Sequence, residues 1–112
     1  MGDLTILKKN KDYRRVYSHG KTVADRYIVL YYLQNNTELS RFGFTASKKV
    51  GNAVTRNRIR RLFRETCRLN YGHFPAGFDF VLLARREIVG SDYQQVEASL
   101  LKLLKRIRFN RG

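Results

Sequence analysis

The sequence is poor in the residues that mark secreted, membrane-spanning and disulfide-stabilised proteins. Its 112 residues include one cysteine, one proline and no tryptophan. Because Cys67 has no second cysteine to join, an internal disulfide is excluded. No apolar run approaches the ~20 residues needed to span a bilayer, and the first residues lack the basic start and long apolar core of a signal peptide. These absences predict a cytoplasmic protein.

Acidic residues are also scarce, with 9 Asp and Glu against 23 Lys and Arg. They are scattered along the chain, so no close set is visible that would hold two magnesium ions for phosphodiester cleavage. His19 and His73 are far apart and lack further Cys or His ligands, which favours structural or surface roles over a zinc site. Cys67 is expected to be an inert core thiol. The sequence therefore predicts neither catalytic side chains nor a metal site.

What the chain does contain is apolar surface and positive charge. With 43% hydrophobic and 12% aromatic residues it can bury a core, and its length predicts a single domain over residues 1–112. At a net charge of +14, repulsion among the positive side chains destabilises the folded state, and an anionic partner would relieve it. Arginine outnumbers lysine 15 to 8, and its planar guanidinium suits phosphates and bases. These features favour nucleic acid over a membrane surface.

Local patterns predict an α+β chain in the order α-β-β-β-α-β-α. A first helix is expected over residues 11–18, with Asn10 as its cap and Gly20 as a left-handed stop. A β-forming run from Thr22 to Leu33 is predicted to turn at Asn35 and Asn36 and to form a hairpin with a second strand through residues 42–44. A short additional strand is possible around Thr45 to Val50.

The second half of the chain alternates between helix and strand. A helix from Ala53 to Leu69 is expected after the Asn52 cap, and an apolar strand follows over residues 78–84. Residues 91–94 form a capping-box pattern that opens a last helix, whose apolar residues recur at helical spacing as far as Ile107.

The segment Lys48 to Arg68 holds eight cationic residues and one acid. At ~100° per residue, its apolar positions form one stripe, and the arginines at 56, 60, 64 and 68 recur four residues apart as a ridge. A solvated face balanced by ion pairs is the alternative, but Glu65 is the only acid available and could pair at best with Arg61. Arg58, at ~200° from Arg56, points away from the ridge toward Glu65, which favours a local structural role or a second nucleic-acid surface.

Aromatic residues are interleaved with cations in the first helix. Tyr13 and Tyr17 stand beside Lys8, Lys9, Lys11, Arg14 and Arg15, as in surfaces that bind single-stranded nucleic acid. They could equally be core residues with exposed hydroxyls. Tyr31, on one face of the first predicted strand, strengthens the interpretation as a binding surface.

The stretch KKVGNAVTRNRIRR, from Lys48 to Arg61, resembles the signature of the protein subunits of bacterial ribonuclease P. Similar segments cover nearly the whole chain: residues 7–13, 16–20, 23–26 and 80–85. The resemblance implies an α/β sandwich of the ribosomal protein S5 domain 2-like type with a left-handed βαβ crossover. It also implies a partner, the catalytic RNA that removes the 5′ leader of precursor tRNA with Mg²⁺ held by RNA and substrate rather than by the protein alone.

Site residues follow from the resemblance by position. It implies that the leader-binding residues are Lys8, Lys9, Tyr13, Tyr17 and Tyr31. It implies that the residues meeting the catalytic RNA, or organising that surface, are Lys48, Lys49, Asn52, Arg56, Asn57, Arg58, Arg60, Arg61, Arg64 and Arg68. Two alternatives stay open: a stand-alone ribosomal-type RNA-binding protein with no role in cleavage, and an autonomous nuclease, which would need a metal-holding acid cluster.

Overall fold

The computed structural model describes residues 4–109 as one mixed sheet with helices on both of its faces. The strands are β1 (Thr5–Ile6), β2 (Lys21–Ala24), β3 (Ile28–Gln34), β4 (Arg41–Thr45) and β5 (Phe78–Ala84). The helices are α1 (Asn10–His19), α2 (Ala53–Leu69) and α3 (Tyr93–Arg106), and 3-10 turns at Tyr71–His73 and Arg86–Ile88 flank β5. The predicted α+β class is confirmed, with β1 as an additional short strand.

The strands stand in the order β1-β4-β5-β3-β2. β4 runs parallel to both β1 and β5, whereas β3 runs antiparallel to both β2 and β5. β4, α2 and β5 therefore form a βαβ unit at the centre of the sheet. β5 takes the central position because, apart from Asp79, its residues are apolar on both faces, as a strand with neighbours on each side requires.

The predicted hairpin between the first two strands is wrong. The run from Thr22 to Leu33 is divided between β2 and β3 by a turn in which the Asp25 carboxylate accepts the N–H groups of Tyr27 and Ile28, each at 2.9 Å. β3 therefore pairs with β2, and β5 separates β3 from β4. Asn35 does not make a tight turn, because its buried side chain donates to the Leu39 carbonyl and organises a longer loop.

Several local predictions also need correction. Lys9, rather than Asn10, is the N-cap of α1, and no side chain caps that end. Gly20 is extended at φ −77°, and its small size matters instead, since an added Cβ would lie 2.5 Å from the Val16 carbonyl oxygen. The capping box of α3 begins at Asp92 and uses Gln95, one residue later than predicted. No strand continues from β4 to Val50, where the chain forms a turn.

The sheet buries a different cluster on each face. The larger core joins one face of the sheet to α2 and α3 and includes Leu30, Phe80, Phe63 and Leu100. The smaller cluster joins the other face to α1 through Leu7, Val16 and Val81, with Tyr13, Tyr31 and Leu33 packed against it. Between residues 4 and 109, none of the helices combines the length and apolar character that crossing a bilayer requires.

Candidate nucleic-acid interface

Helix α2 carries the basic segment, and its sequence explains its bounds. The Asn52 side chain accepts the N–H of Thr55 at 2.9 Å, which confirms the predicted cap, and Gly51 precedes it at φ 154°. The buried residues Ile59, Phe63, Thr66 and Cys67 confirm the predicted stripe. Since the helix is fixed to the core by this stripe, its opposite face is held outward. Burial also raises the pKa of the Cys67 thiol, which disfavours a reactive thiolate.

The arginines at 56, 60, 64 and 68 lie along one side of α2 at four-residue intervals, about 6 Å apart along the axis; they are called the arginine ridge below. The exposed Arg64 side chain makes no ion pair or hydrogen bond with any residue in the range 4–109, and the same holds for the exposed Arg61 side chain beside the ridge. Glu65 pairs with Arg68 at 2.6 Å and not with Arg61 as predicted. The ridge therefore keeps an uncompensated positive charge.

Two arginines of this helix also make hydrogen bonds to backbone carbonyls of neighbouring segments. Arg58 donates to the Ser91 carbonyl at 2.9 Å and so ties α2 to the loop before α3; its hydrogen-bond partner is not Glu65. Arg60 donates to the Asn57 side-chain oxygen at 2.8 Å and to the Ala46 carbonyl at 3.3 Å. A local role for Arg58 is thus supported, and Arg60 joins α2 to the end of β4.

The amino-terminal end of α2 gathers the remaining candidates. Lys48 and Lys49 lie exposed in the turn that leads from β4 to α2, and Asn52 follows them as the helix cap. Asn57 is exposed one turn into the helix, where its side chain orients Arg60. The structure therefore places Lys48, Lys49, Asn52 and Asn57 together at the start of α2, whereas Arg58 is turned toward the loop before α3.

Three tyrosines meet on the other face of the sheet. The ring of Tyr17 lies 4.9 Å from that of Tyr31 in an edge-to-face arrangement and 6.5 Å from that of Tyr13. Tyr13 lies directly over Gly43 of β4, where an added Cβ would come within 2.6 Å of the ring. Tyr17 is 38% exposed, so α1 presents an aromatic edge instead of burying it.

The strand register shows what lies beside these tyrosines. Tyr31 pairs with Val81, which pairs with Gly43, and α1 crosses this row. Val29, Leu83 and Thr45 form a row two residues further along the same face, and all three are only half-buried. The tyrosine cleft, as we call it, has Tyr13, Tyr17 and Tyr31 as its wall and Val29, Leu83 and Thr45 as its floor.

Hydroxyl groups fix the wall of the tyrosine cleft. The Tyr17 and Thr45 hydroxyls lie 3.1 Å apart, and the Tyr13 hydroxyl donates to the Leu7 carbonyl at 3.4 Å. Burial raises the pKa of Tyr13, so its phenol stays protonated at neutral pH. Tyr13 therefore packs against the smaller core cluster and also lines the cleft, whereas the Tyr17 ring is exposed to solvent.

Lys8 and Lys9 lie exposed in the segment that leads into α1. The Lys9 carbonyl accepts the N–H of Asp12 at 3.0 Å as the helix begins, and both ammonium groups extend into solvent. They add positive charge to the helix that carries Tyr13 and Tyr17.

Sequence reasoning missed the floor of the cleft and the glycine beneath its wall. Thr45, Val29 and Leu83 come from three different strands, and only the register places them together. The period-two pattern did place Val29 and Tyr31 on one face. Nothing in the sequence signalled that Gly43 would make room for the Tyr13 ring.

The arginine ridge and the tyrosine cleft meet at the end of β4. Thr45 contacts Tyr17 through its hydroxyl, and the next residue, Ala46, accepts the hydrogen bond from Arg60. Tyr13 lies close enough to Arg60 for the positive charge to act on its phenol. A single extended polyanion could therefore touch both surfaces.

Carboxylates contribute little to this surface. Asp79 is fully buried in a two-pronged ion pair with Arg41, at 2.9 and 2.7 Å, and Asp25 is bound by Ser99 and the turn at β2. Among residues 4–109, no three His, Cys, Asp or Glu side chains come together as metal ligands would. The donor set thus fits binding of an anion better than binding of a metal cation.

Comparison with known proteins gives one consistent result. Residues 1–108 match the family described as Ribonuclease P. The ribonuclease P protein component of Pelotomaculum thermopropionicum is 58% identical over 97% of both chains. The RNase P protein of Staphylococcus aureus superposes with a TM-score of 0.82 at 38% identity, covering 89% of this chain and 92% of that one. The RNase P protein of Thermotoga maritima gives 0.84 at 34% identity, covering 92% and 97%.

Proposed function

The chain belongs to the ribonuclease P protein family, and from this membership and the geometry of the interface we propose that it binds the catalytic RNA through the arginine ridge and the 5′ leader of precursor tRNA in the tyrosine cleft. It is a component of ribonuclease P, a ribonucleoprotein of tRNA processing. The observation that carries the proposal is the meeting of a cationic surface and an aromatic cleft at the end of β4.

The ridge suits a folded RNA because its charge is concentrated and largely uncompensated. Arg61 and Arg64 are exposed and unpaired within residues 4–109, and the lysines before α2 extend the same surface. Each guanidinium that reaches a phosphate releases counterions, which gives sequence-independent affinity. An RNA partner with closely spaced phosphates would use this surface more fully than an isolated single strand.

The cleft suits an unpaired strand because it offers flat rings beside a half-buried floor. Bases can stack on an open tyrosine such as Tyr17 whatever their identity, which a leader of variable sequence requires. Lys8 and Lys9 supply charge for its phosphates.

We place the chemistry of cleavage on the RNA. The buried Asp79 is paired with Arg41, and the described carboxylates form no cluster beside the cleft or ridge. Mg²⁺ would be held by the RNA subunit and the substrate phosphates, and the protein would position the leader and reduce repulsion between the two RNAs. A cytoplasmic location would follow from these partners.

Reconstitution tests the proposal directly. The protein is combined with a bacterial ribonuclease P RNA at low Mg²⁺, where RNA alone cleaves poorly, and removal of the leader from precursor tRNA is measured. Stimulation by the protein is expected, with a smaller effect for Arg61→Ala combined with Arg64→Ala. If the protein gave no stimulation and preferred ribosomal RNA, the stand-alone RNA-binding alternative would be correct. Cleavage without any RNA subunit would point to an autonomous nuclease.

A further inference from the structure

A second pocket lies at the opposite end of strands β3 and β5 from the floor of the tyrosine cleft. It opens where the end of α1, the start of β2 and the end of β3 meet the segment after α3, and its volume is about 270 Å³. The residues that matter for its chemistry are His19, Lys21, Tyr32, Gln34, Arg108 and Phe109. This volume is just below the roughly 300 to 1,000 Å³ of typical small-molecule sites, so it suits one small group.

The charges of this pocket are of one sign. Lys21 and Arg108 contribute positive charge to its lining, and no acidic residue lines it within residues 4–109. Neither of these two side chains makes an ion pair or a hydrogen bond to another described residue. By contrast, Arg41 elsewhere in the chain is paired with Asp79 at 2.7 Å. Unpaired cations around a concave site favour an anionic ligand.

The rest of the lining is aromatic or amide. Phe109 stands edge-to-face with Tyr32 at 5.8 Å, and both rings are only half-buried. The Gln34 amide offers a donor and an acceptor at the same opening. Recognition of single-stranded RNA combines three elements: rings on which bases stack, an amide that bonds a base edge, and cations that bind a phosphate.

We propose that this pocket binds one unpaired nucleotide of RNA, with the base against Tyr32 and Phe109 and the phosphate near Lys21 and Arg108. The pocket is separate from the leader site, since it lies at the Gln34 and Phe78 end of the β3–β5 pair, whereas the cleft floor lies at the Val29 and Leu83 end. Either the upstream part of a long leader or an unpaired segment of the RNA subunit supplies this chemistry. The RNA class of the ligand rests on the proposed function, but its first test does not involve cleavage.

The first test uses the free full-length protein and uridine 5′-monophosphate as the probe. In an NMR titration of the ¹⁵N-labelled protein, saturable amide shifts are expected at His19, Lys21 and residues 32–34, separate from any at Tyr17. Lys21→Ala and Arg108→Ala should each weaken this binding about three-fold or more, whereas Lys105→Ala, an exposed lysine of α3, should not. Absence of shifts at the pocket, or equal effects of all three substitutions, would overturn the proposal.

The second test identifies the source of the nucleotide in the assembled ribonucleoprotein. Affinity is measured against salt concentration for the RNA subunit alone and for precursor tRNAs with short and long leaders. Lys21→Ala should lower the slope by about 0.7, the value for one lost contact to a single strand. If Lys21→Ala lowers the slope only for the precursor with a long leader, the nucleotide belongs to the substrate. If it lowers the slope for binding to the RNA subunit without substrate, the nucleotide belongs to that subunit. A slope unchanged in every arm contradicts the proposal even where leader removal is still stimulated.

Discussion

Arg60 on α2 donates to the carbonyl oxygen of Ala46 at the end of β4, 3.3 Å away. Through this contact a residue of the arginine ridge supports the strand end that carries Thr45, whose hydroxyl lies 3.1 Å from that of Tyr17. Arg60 therefore has two roles that Arg64 lacks: it holds the helix against the sheet, and it lies beside the wall of the cleft.

This difference predicts distinct effects of two similar substitutions. Arg64→Ala should remove one phosphate contact and lower the salt slope of binding to the ribonuclease P RNA by about 0.7 to 0.9. Arg60→Ala should do the same and should also weaken the preference for precursor tRNA over mature tRNA. The substitution removes the hydrogen bond to the Ala46 carbonyl, which holds the neighbouring Thr45 in place beside Tyr17. Measuring both affinities over a salt series separates the two roles. Identical behaviour of the two variants would show that Arg60 has no role in the cleft.

Tyr17 provides a test of stacking. Tyr17→Ala should cost roughly 1 to 3 kcal/mol in binding to a precursor with a leader, and Tyr17→Phe should lose no more than the ~1 kcal/mol of a hydrogen bond. Because the ring is 38% exposed, the free energy of unfolding should change little. Equal losses for leader-bearing and leaderless substrates would identify Tyr17 as a structural residue instead.

Gly43 tests the packing beneath the wall. In Gly43→Ala the new Cβ would lie 2.6 Å from the Tyr13 ring, so the ring must shift, which should cost about 1 to 3 kcal/mol of stability. Leader affinity should fall as well, since the wall is displaced. Gly72→Ala is the matched control, because an added Cβ there meets no atom within 4 Å. Urea unfolding and leader-dependent binding measure the two effects; similar stabilities of the two variants would contradict this account.

An ion pair between the half-buried Arg41 and the buried Asp79 joins the neighbouring strands β4 and β5. Asp79→Ala should destabilise the protein by about 1 to 3 kcal/mol, because Arg41 and the buried Asn35 amide each lose a hydrogen-bond partner. The loss is limited because Arg41 stays 30% exposed and keeps Asp12 at 3.6 Å. Replacing both residues, as Arg41→Met with Asp79→Leu, should restore part of this loss. Chemical unfolding of the single and double variants gives the comparison, and a double variant less stable than Asp79→Ala would refute it.

Acid stability should depend on Asp25. Burial favours its protonated form, but hydrogen bonds from the Ser99 hydroxyl and the Tyr27 and Ile28 N–H groups outweigh it and lower its pKa below the ordinary value of 3.8. The ionised carboxylate therefore stabilises the fold at pH values above the ordinary pKa of 3.8. This stabilisation is lost as the pH falls through the lower pKa of the folded state.

The stability difference between wild type and Asp25→Asn should accordingly be constant from neutral pH to about pH 5 and shrink below about pH 4. Urea unfolding between pH 7 and pH 2.5 measures it, with the exposed Glu87→Gln as control. A difference that persisted unchanged into strong acid would mean that ionisation of Asp25 contributes nothing.

Local chemistry made α2 predictable from its sequence. Its bounds, its Asn52 cap and its buried stripe all depend on residues within a few turns of one another, and the structure reproduces them. The ridge followed from the same periodicity. The partner of Glu65 was misjudged because Arg61 and Arg68 are both within reach on the helix, and side-chain conformation selects Arg68.

Strand pairing was not predictable in the same way. The alternation in β3 indicated which residues share a face, but it carried no information about neighbours, so β4 was wrongly paired with β3. β5, more than 30 residues later in the chain, takes the place between them.

The sequence by itself determined that this is a basic protein with an arginine-rich helix suited to a polyanion, because charge, composition and helical spacing are properties of the chain. Only the tertiary structure decided where the cleft lies. Its floor combines Val29, Thr45 and Leu83 from three strands, and its wall depends on a glycine 30 residues from Tyr13. Such contacts form only when packing brings distant segments together, and no local pattern encodes them.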